Sequence, residues 1–413
     1  MQHRSDSWRF LTQEWRFLAF GLLLAFWSGP GQTFVISVFG KELRDQFDLS
    51  HGEFGTLYTC ATLLSAALLW KTGPLVDRLP LKQFAFKMAL IMVGATALFA
   101  TIQGPITLLI GIFAVRFMGQ GMLNHISVTA MTRRYEKERG RAVAIAGLGF
   151  PLGEALFPPL IVLALGFYDW RLIWLAIAVL MSVTLLPLIS KLIKPTQTQD
   201  GPGNAPLLAL DKDANHWTRA EMLRDPRFYF VALTPLAQSA LVTGLFFHQV
   251  HLISLKSWDF KWWTLNFTVY ALSGLIGGLI SGFLVDRFSA RMIVPFVLLP
   301  LASALIIFGY FEQPIFAVMV MAVLGFGAGT TNPAVSSLWP ELYGTRHLGA
   351  IRSVATVVMV FGSALGPVFM GLALDASVSL GTIAYASAGL AILCAILAKI
   401  GLRKTAPLSI RSD

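Results

Sequence analysis

Charge is scarce in this sequence. Asp, Glu, Lys and Arg make up 13% of the 413 residues, about half of the fraction found in typical soluble proteins. Apolar residues make up 55%, which excludes a disordered chain, because disordered chains contain few apolar and many charged residues. The composition therefore indicates an integral membrane protein.

Cysteine is nearly absent as well. The two cysteines, Cys60 and Cys394, lie within apolar runs, which argues against a disulfide framework and against a cysteine metal cage. The seven histidines lack metal-ligand spacing, so we expect no metal. Phosphate-binding loops of the GxxxxGK type and nucleophile elbows are also missing. We therefore expect no enzyme activity and no cofactor, and any work that the protein does must draw on a gradient.

The sequence contains instead a series of long apolar stretches. A helix needs about 20 apolar residues to cross the hydrocarbon layer, and stretches of that length are separated by Gly, Pro or charged residues. They cover residues 17–38, 53–71, 86–103, 105–131, 142–167, 171–190, 228–251, 263–283, 292–311, 314–337, 351–373 and 382–401. We predict an all-α membrane protein with twelve transmembrane helices in two six-helix halves, 1–190 and 228–401, joined by a polar linker, 191–227, and followed by a cytoplasmic tail, 402–413.

Basic residues indicate the orientation of these spans. If both termini are cytoplasmic, 26 of the 32 Lys and Arg residues lie in cytoplasmic segments and 5 in outer loops, as the positive-inside rule requires. The net charge of +10 is therefore a topology signal and does not indicate a nucleic-acid partner. We predict a multi-pass protein of a bacterial inner membrane, whose first span is retained and is not a cleaved signal peptide.

An internal repeat links the two halves. Residues 75–78 and 284–287 share the sequence Leu-Val-Asp-Arg. Further pairs at almost the same separation are Gly119 and Gly327, Gly121 and Gly329, Asn124 and Asn332, Tyr135 and Tyr343, Arg141 and Arg352, Gly149 and Gly362, and Gly153 and Gly366. Two parallel six-span repeats are typical of a transporter, with the solute site near the midplane between the halves.

These residues also resemble a known family. Residues 73–78 with Lys82, and 282–287 with Arg291, are similar to the cytoplasmic signature of the major facilitator superfamily, and residues 116–121 resemble its fourth-span signature. The resemblance covers nearly the whole chain. It implies a twelve-helix transporter that works by rocking of its halves, and it says little about the solute.

One departure from the family pattern bears on the direction of transport. Drug/proton exporters of this family commonly carry Gly-Pro near the middle of the fifth span. Here the eleventh span keeps Gly366-Pro367, whereas the matching position of the fifth span is Gly153-Glu154. A carboxylate replaces the proline, which weakens the interpretation as an exporter.

Glu154 is also the clearest candidate for ion coupling. It lies about twelve residues into its span from Arg141, and at about 1.5 Å per residue this depth is near the bilayer centre. An ionised carboxylate is costly there, and such residues usually mark proton or ion paths. The alternative is a permanently paired side chain that only holds helices together. We predict that Glu154 and Arg116 take part in proton coupling.

Arg116 lies at a similar depth in the fourth span. Arg116, Gln120 and Asn124 share one helical face, which cannot face lipid, and His125 lies beside them. Arg116 either binds an anionic group of the solute or pairs with Glu154, and a third alternative is an inert lock within its own helix bundle. We list Gln120, Asn124 and His125 as candidate solute-binding residues.

Other polar residues extend this set. Asn124 and Asn332 occupy equivalent positions in the two halves, where paired amides could clasp one solute or could satisfy helix contacts in their own halves. Gln32 follows the helix-breaking sequence Ser-Gly-Pro-Gly in the first span, and irregular backbone at membrane depth is tolerated where it lines a cavity. The remaining candidates for solute binding are Gln238, Tyr270 and Thr331. His248 and His251 lie near the outer end of the seventh span, and we predict that both are solvated rim residues.

Gating residues are expected at the cytoplasmic ends of the spans. Asp77-Arg78 and Asp286-Arg287 form equivalent tight turns. A carboxylate there can cap a neighbouring helix and pair with a loop arginine such as Arg141, in contacts that break and re-form as the halves rock. The alternative is a pair of static turns that carry topology charges.

We therefore predict a proton-coupled secondary transporter of a small organic solute. An organic acid is favoured because Arg116 and His125 outnumber Glu154 among the charged or titratable groups at this depth. The alternatives are efflux of a drug or amphipathic compound by proton antiport, and a non-transporting membrane protein such as a receptor or lipid scramblase. The expected partners are the solute, protons and the lipid bilayer, and the protein is expected to be a monomer.

Overall fold

The computed structural model describes residues 2–73, 75–135, 138–193, 217–344 and 346–403, and this part of the chain is helical throughout, without strands. We number the predicted spans 1 to 12 in chain order. Their helices are Gln2–Trp27 with Thr33–Ile36 and Gly40–Phe47 (span 1), His51–Thr72 (span 2), Leu81–Phe99 (span 3), Pro105–Arg116 with Asn124–Arg134 (span 4), Arg139–Gly147 with Gly149–Leu165 (span 5), Trp170–Leu192 (span 6), Pro226–Phe247 with Gln249–Leu255 (span 7), Phe260–Leu265 with Phe267–Phe288 (span 8), Ala290–Ile293 with Leu299–Tyr310 (span 9), Phe316–Tyr343 (span 10), Leu348–Asp375 (span 11) and Leu380–Arg403 (span 12).

These helices confirm the predicted fold class. Ten of them are long and apolar enough to cross a membrane, and an eleventh candidate is the bent pair Thr12–Gly31 and Thr33–Phe47, with a 45° angle between its parts. The one predicted span that remains is span 2, the less apolar helix His51–Thr72. Its 22 residues give it a length of about 33 Å, enough to cross the hydrocarbon layer. A short helix, Arg219–Arg224, lies within the predicted linker, and linker residues 194–216 lie outside the described part of the chain.

The chain forms two compact units. Unit 1 contains Met1–Ala205, Thr243–Ala271 and Pro367–Ser377, and unit 2 contains Pro206–Val242, Leu272–Gly366 and Val378–Asp413. Unit 1 therefore includes spans 1 to 6 together with one end of spans 7, 8 and 11. We call this end, which carries His51, His251 and Asp375, the outer end, following the predicted orientation.

Glycines of the internal repeat pack the helices inside each unit. In unit 1 a Cβ atom at Gly149 would overlap the carbonyl oxygen of Leu22, so span 5 lies directly against span 1. In unit 2 a Cβ at Gly366 would overlap the carbonyl oxygen of Ala240, so span 11 lies against span 7 in the same manner. Gly149 and Gly366 both belong to the glycine pairs of the internal repeat. Close backbone approach leaves no room for a larger residue at either of these two positions.

Candidate substrate-binding site

Two irregular helices meet in unit 1 at the depth of Arg116. Span 1 is interrupted by the 3₁₀ turn Gly29–Gly31, and span 4 changes into a π-helix over Phe117–Leu123, directly after Arg116. A Cβ at Gly31 would overlap the carbonyl oxygen of Val115, and one at Gly119 would come within 2.7 Å of the carbonyl oxygen of Ser28. The two backbones therefore touch where both depart from α-helical geometry, an arrangement frequent at functional sites.

Arg116 is fully buried at this junction. Its Nη1 donates a short hydrogen bond to the hydroxyl of Tyr58 and lies 3.5 Å from the carbonyl oxygen of Gly31, while the guanidinium carbon lies 4.5 Å from the centre of the Tyr58 ring. Its Nε and Nη2 are buried and have no hydrogen-bond partner in the described chain. One face and one nitrogen of the guanidinium are thus held, and one edge with two N–H groups is free.

The sequence analysis did not identify Tyr58 or Thr33, although both belong to this cluster. The Tyr58 hydroxyl also forms a short hydrogen bond with the hydroxyl of Thr33, and the Tyr58 ring packs 4.5 Å from that of Phe247, centre to centre. Tyr58 therefore connects spans 1, 2 and 4 to the end of span 7. A single tyrosine in an apolar span has no distinguishing spacing, so only its position beside Arg116 could have revealed it.

Glu154 lies on span 5, where the helix Gly149–Leu165 packs against the break in span 1 and against the helix Phe260–Leu265. The side chain is largely buried. Within the described part of the protein, it makes no hydrogen bond or ion pair, and Tyr270 lies within electrostatic range. Arg116 is therefore not its partner in this conformation, which leaves the anion-binding and locking alternatives for Arg116.

The other candidates of unit 1 have different surroundings. Gln32 is buried, and its Nε2 lies 3.4 Å from Oγ of Ser28. Gln120 and Asn124 are largely buried on the irregular part of span 4. The ring Nε2 of His125 lies 3.2 Å from the carbonyl oxygen of Gly73, at the far end of span 2 from His51. The structure thus associates Gln32 with the Arg116 cluster and places His125 against the end of span 2.

Unit 2 holds the remaining candidates. Gln238 is buried, and its Oε1 has no hydrogen-bond partner among the described residues. Thr331 donates to the carbonyl oxygen of Gly327 in its own helix, at 2.8 Å. Asn332 is exposed on span 10. Their role in solute binding stays a prediction.

The gating candidates are described in part. The side chains of Asp77 and Arg78 lie outside the described part of the structure. Arg141 forms a 2.8 Å salt bridge with Glu138. Asp286 and Arg287 are exposed at the end of span 8, so the gating role of all five arginine and aspartate candidates also stays a prediction.

A second repeated feature lies at the predicted cytoplasmic ends of the helices. In unit 1 the hydroxyl of Tyr135 donates to Glu14 at 2.8 Å, and burial, together with this hydrogen bond, raises the pKa of Tyr135 above its usual range, so that the hydroxyl remains a donor. In unit 2 the hydroxyl of Tyr343 donates to Asp225 at 3.1 Å, and Arg227 pairs with the same carboxylate at 2.8 Å. Each tyrosine ties the end of span 4 or span 10 to the first span of its half.

Comparisons with known proteins agree with this architecture. Residues 18–261 and 257–412 match the Major Facilitator Superfamily. A stretch of 258 residues, 60% of this chain, is 27% identical to Monocarboxylate transporter 13 of Bos taurus, and it covers 57% of that protein. The chain thus spans less than two thirds of the length of this curated relative.

Solved structures show the same fold. A bacterial homologue of the human lysosomal transporter Spinster, in an inward-facing and unoccupied conformation, superposes with a TM-score of 0.73 at 17% identity, over 94% of this chain and 96% of that one. The nucleoside transporter NupG superposes with a TM-score of 0.73 at 16% identity, over 95% of this chain and 99% of that one. The chain therefore belongs to the major facilitator superfamily and is a multi-pass membrane protein, and the known proteins that it resembles are transporters and not enzymes.

Proposed function

We propose that this transporter carries a small organic solute with one carboxylate group and couples its movement to protons. Arg116 would bind the carboxylate, and Glu154 would bind and release the proton. The proposal also includes that the protein is a monomer in a bacterial inner membrane. Its termini would lie on the cytoplasmic side, as the distribution of basic residues predicts.

The free edge of Arg116 is the observation that carries the proposal. Because Nη1 is held by Tyr58, the unpaired Nε and Nη2 form the side edge of the guanidinium. Two parallel N–H groups in this geometry match the two oxygens of a carboxylate. Leaving two buried charged donors without hydrogen-bond acceptors costs free energy. An anion that reaches this edge therefore binds with a larger gain in free energy than it would at an exposed arginine.

Access to the edge requires a conformational change. Arg116 is fully buried in this conformation, so a solute can reach it only after the surrounding helices move. The 3₁₀ turn of span 1 and the π-helical part of span 4 adjoin the guanidinium, and irregular backbone of this kind can rearrange at low cost. Binding at Arg116 would therefore belong to another step of the transport cycle.

Glu154 supports the proton-coupling part of the proposal. A carboxylate at mid-membrane depth that has no ion-pair partner among the described residues is stabilised by taking up a proton. When the helices move and water enters, the same group can release it. Coupling follows if only one of these two environments is compatible with a bound solute.

The comparison with Monocarboxylate transporter 13 supports a carboxylate solute, with 27% identity over part of each chain. The likeness to the NupG and Spinster structures, at 17% identity or less, concerns the fold alone. It gives no argument for a nucleoside solute.

Uptake into proteoliposomes tests the carboxylate assignment. We expect an inward-directed proton gradient to drive uptake of one or more labelled monocarboxylates from a panel of lactate, pyruvate and acetate, and we expect neither succinate nor uridine to be taken up. Arg116→Gln should abolish uptake, and Arg116→Lys should retain a small part of it because a lysine keeps the charge without the paired N–H groups. Lys261→Gln, at an exposed position of the short helix Phe260–Leu265, should leave uptake unchanged. Uptake of uridine or of a cationic dye that is insensitive to Arg116→Gln would contradict the proposal.

A further inference from the structure

Three histidines meet at the outer end of unit 1. The ring centre of His51 lies 4.2 Å from that of His251 and 5.5 Å from that of His248. His51 begins span 2, and His248 and His251 lie at the end of span 7. The prediction of solvated rim residues is wrong for His248, which is 3% exposed, because span 7 folds inward over span 2 there.

The backbone around His51 is held by span 11. The carboxylate of Asp375 accepts hydrogen bonds from the backbone N–H of His51 at 3.0 Å, from that of Gly52 at 2.7 Å and from Oγ of Ser50 at 2.9 Å. A Cβ at Gly371 would come within 2.5 Å of the His51 carbonyl oxygen, so the two backbones are in direct contact.

Span 7 is joined to span 11 through His248. Its Nε2 donates to the carbonyl oxygen of Pro367 at 2.8 Å, since a carbonyl can only accept. The neighbouring ring of Phe247 stacks on Phe54 of span 2 at 4.7 Å. We call this set of contacts between the ends of spans 2, 7 and 11 the outer closure.

Four acidic and two basic side chains surround the three histidines. The three histidines line a small pocket together with Lys41 and Arg44. The titratable and charged groups that line this pocket or lie within electrostatic range of it are Lys41, Glu42, Arg44, Asp45, His51, Glu53, His248, His251 and Asp375. Lys41 is paired with Asp45 at 2.9 Å, and Glu53 accepts from the backbone N–H of Ser50.

Arg44 differs from Lys41, the other basic side chain of this set, which is paired with Asp45. Within the described chain its guanidinium forms no hydrogen bond or salt bridge, and it acts electrostatically on all three imidazoles. Asp375 acts electrostatically on His51, and three hydrogen bonds already occupy its oxygens. A proton added to any of these histidines would bring a second positive charge close to Arg44.

Protonation is also disfavoured by hydrogen bonding. Nδ1 of His51 is buried and has no hydrogen-bond partner in the described part of the chain. A protonated imidazole has two N–H donors, and a buried donor without an acceptor costs free energy. The closed arrangement therefore fits neutral imidazoles, and protonated imidazoles would be more stable when separated and hydrated.

We propose that His51, His248 and His251 form a proton-binding site at the outer end that loosens the outer closure as the external pH falls. The sign follows from linkage: the open arrangement binds protons more tightly than the closed one, so acidification shifts the population towards the open arrangement. This inference concerns the gate and does not depend on the solute or on Glu154. Phe247 lies between His248 and Tyr58, so opening here would also loosen the wall of the Arg116 cluster.

Distance measurements between two spin labels test this proposal. Labels are placed on cysteines introduced at the exposed positions Thr56 and Ala376, in the full chain with Cys60→Ala and Cys394→Ala, reconstituted in lipid nanodiscs without solute. Between about pH 8 and pH 5, a range that spans the usual pKa of histidine, we expect a longer distance to appear. The open-to-closed ratio should rise by about tenfold for each pKa unit by which the two arrangements differ.

The variant His51→Gln/His248→Gln/His251→Gln removes the titratable rings and should lose this pH response. His347→Gln, directly before span 11 and at the other end of that span from Asp375, is the matched control and should keep it. An unchanged distance distribution in the parent protein, or a full response in the triple variant, would overturn the proposal.

Two further variants keep the test decisive. If the triple variant does not fold, the half-exposed His251→Gln alone should reduce the response by a measurable part. Glu154→Gln should retain the response, and a response that Glu154→Gln abolishes while the histidine variants retain it would assign the titration to Glu154 and overturn the proposal.

Discussion

The two halves of this transporter share their packing residues and differ in their chemical groups. Gly149 and Gly153 in span 5 correspond to Gly362 and Gly366 in span 11, and each pair packs its helix against the first span of its half. The next residue is Glu154 in one half and Pro367 in the other. Pro367 offers only its carbonyl oxygen, which accepts from His248.

The same contrast recurs around Arg116. Leu324 stands as far along the chain from Arg116 as Gly327 stands from Gly119, so Leu324 is the residue of the second half that corresponds to Arg116. In the same way, the sequence offset between the two Leu-Val-Asp-Arg motifs pairs Tyr58 with Phe267. Both Leu324 and Phe267 are buried and apolar. The repeated residues therefore define a scaffold that both halves need, and the unmatched ones concentrate ionisable chemistry in the first half.

The largest expected effect comes from making the two halves alike at Arg116. Arg116→Leu places in span 4 the side chain that span 10 carries. It removes the only group that we assign to the carboxylate, and loss of one partner from a buried charged pair costs about 3 kcal/mol, or roughly 100-fold. Initial uptake rates in proteoliposomes should fall by that factor, with Lys261→Gln as the unchanged control. A loss of less than about threefold would show that the two halves do not differ in the way described.

The glycine positions test the shared scaffold. Gly149→Ala and Gly366→Ala should each destabilise the protein by about 1–3 kcal/mol, because the added methyl group overlaps a carbonyl oxygen of the neighbouring span. The melting temperature of detergent-solubilised protein measures the effect.

Each glycine has a matched control on its own span. Gly147 in span 5 and Gly349 in span 11 have open space where a Cβ would lie, so Gly147→Ala and Gly349→Ala should leave the melting temperature unchanged or slightly raised. Sensitivity in one half and not in the other would mean that the repeat is not a common scaffold.

Tyr58→Phe gives span 2 the residue type that span 8 carries. The ring under Arg116 remains and only the hydroxyl that accepts from Nη1 is lost. We expect the binding free energy of the transported monocarboxylate to weaken by about 1 kcal/mol. This loss should raise its KM roughly fivefold, while kcat changes little. An unchanged KM would indicate that Tyr58 does not orient Arg116.

The smallest effects on transport are expected at the repeated tyrosines. Tyr135→Phe and Tyr343→Phe each remove one hydrogen bond to a carboxylate, Glu14 in unit 1 and Asp225 in unit 2. Each should lower stability by about 1–2 kcal/mol in thermal unfolding, and both should leave the KM unchanged. A changed KM in either variant would show that the tyrosine contributes to solute binding and not only to helix packing.

Sequence alone was sufficient for the helical membrane fold, because long apolar stretches separated by charged residues are strong signals in a membrane protein. It also singles out Arg116 and Glu154 as candidates, since ionisable groups at mid-membrane depth are rare, and their roles stay predictions. It could not decide whether the two pair, because spacing within one span does not fix the rotation of another. The structure gives Arg116 a partner, Tyr58, whose residue type is ordinary in an apolar helix.

The irregular parts of the helices were equally hard to predict. The break in span 1 was visible in its glycines and proline, whereas the π-helix of span 4 and the burial of His248 depend on contacts between distant residues. His125 shows the same limit, since its neighbour Gly73 lies on another span. Such contacts require the tertiary arrangement.

The most direct test of the central claim uses Glu154→Gln in proteoliposomes with an imposed pH gradient. We predict that the wild-type protein accumulates the monocarboxylate against its concentration gradient. The Glu154→Gln variant should keep solute exchange across the membrane and lose this accumulation, because it binds the solute at Arg116 and cannot carry the proton. Accumulation by Glu154→Gln equal to that of the wild type would contradict the account.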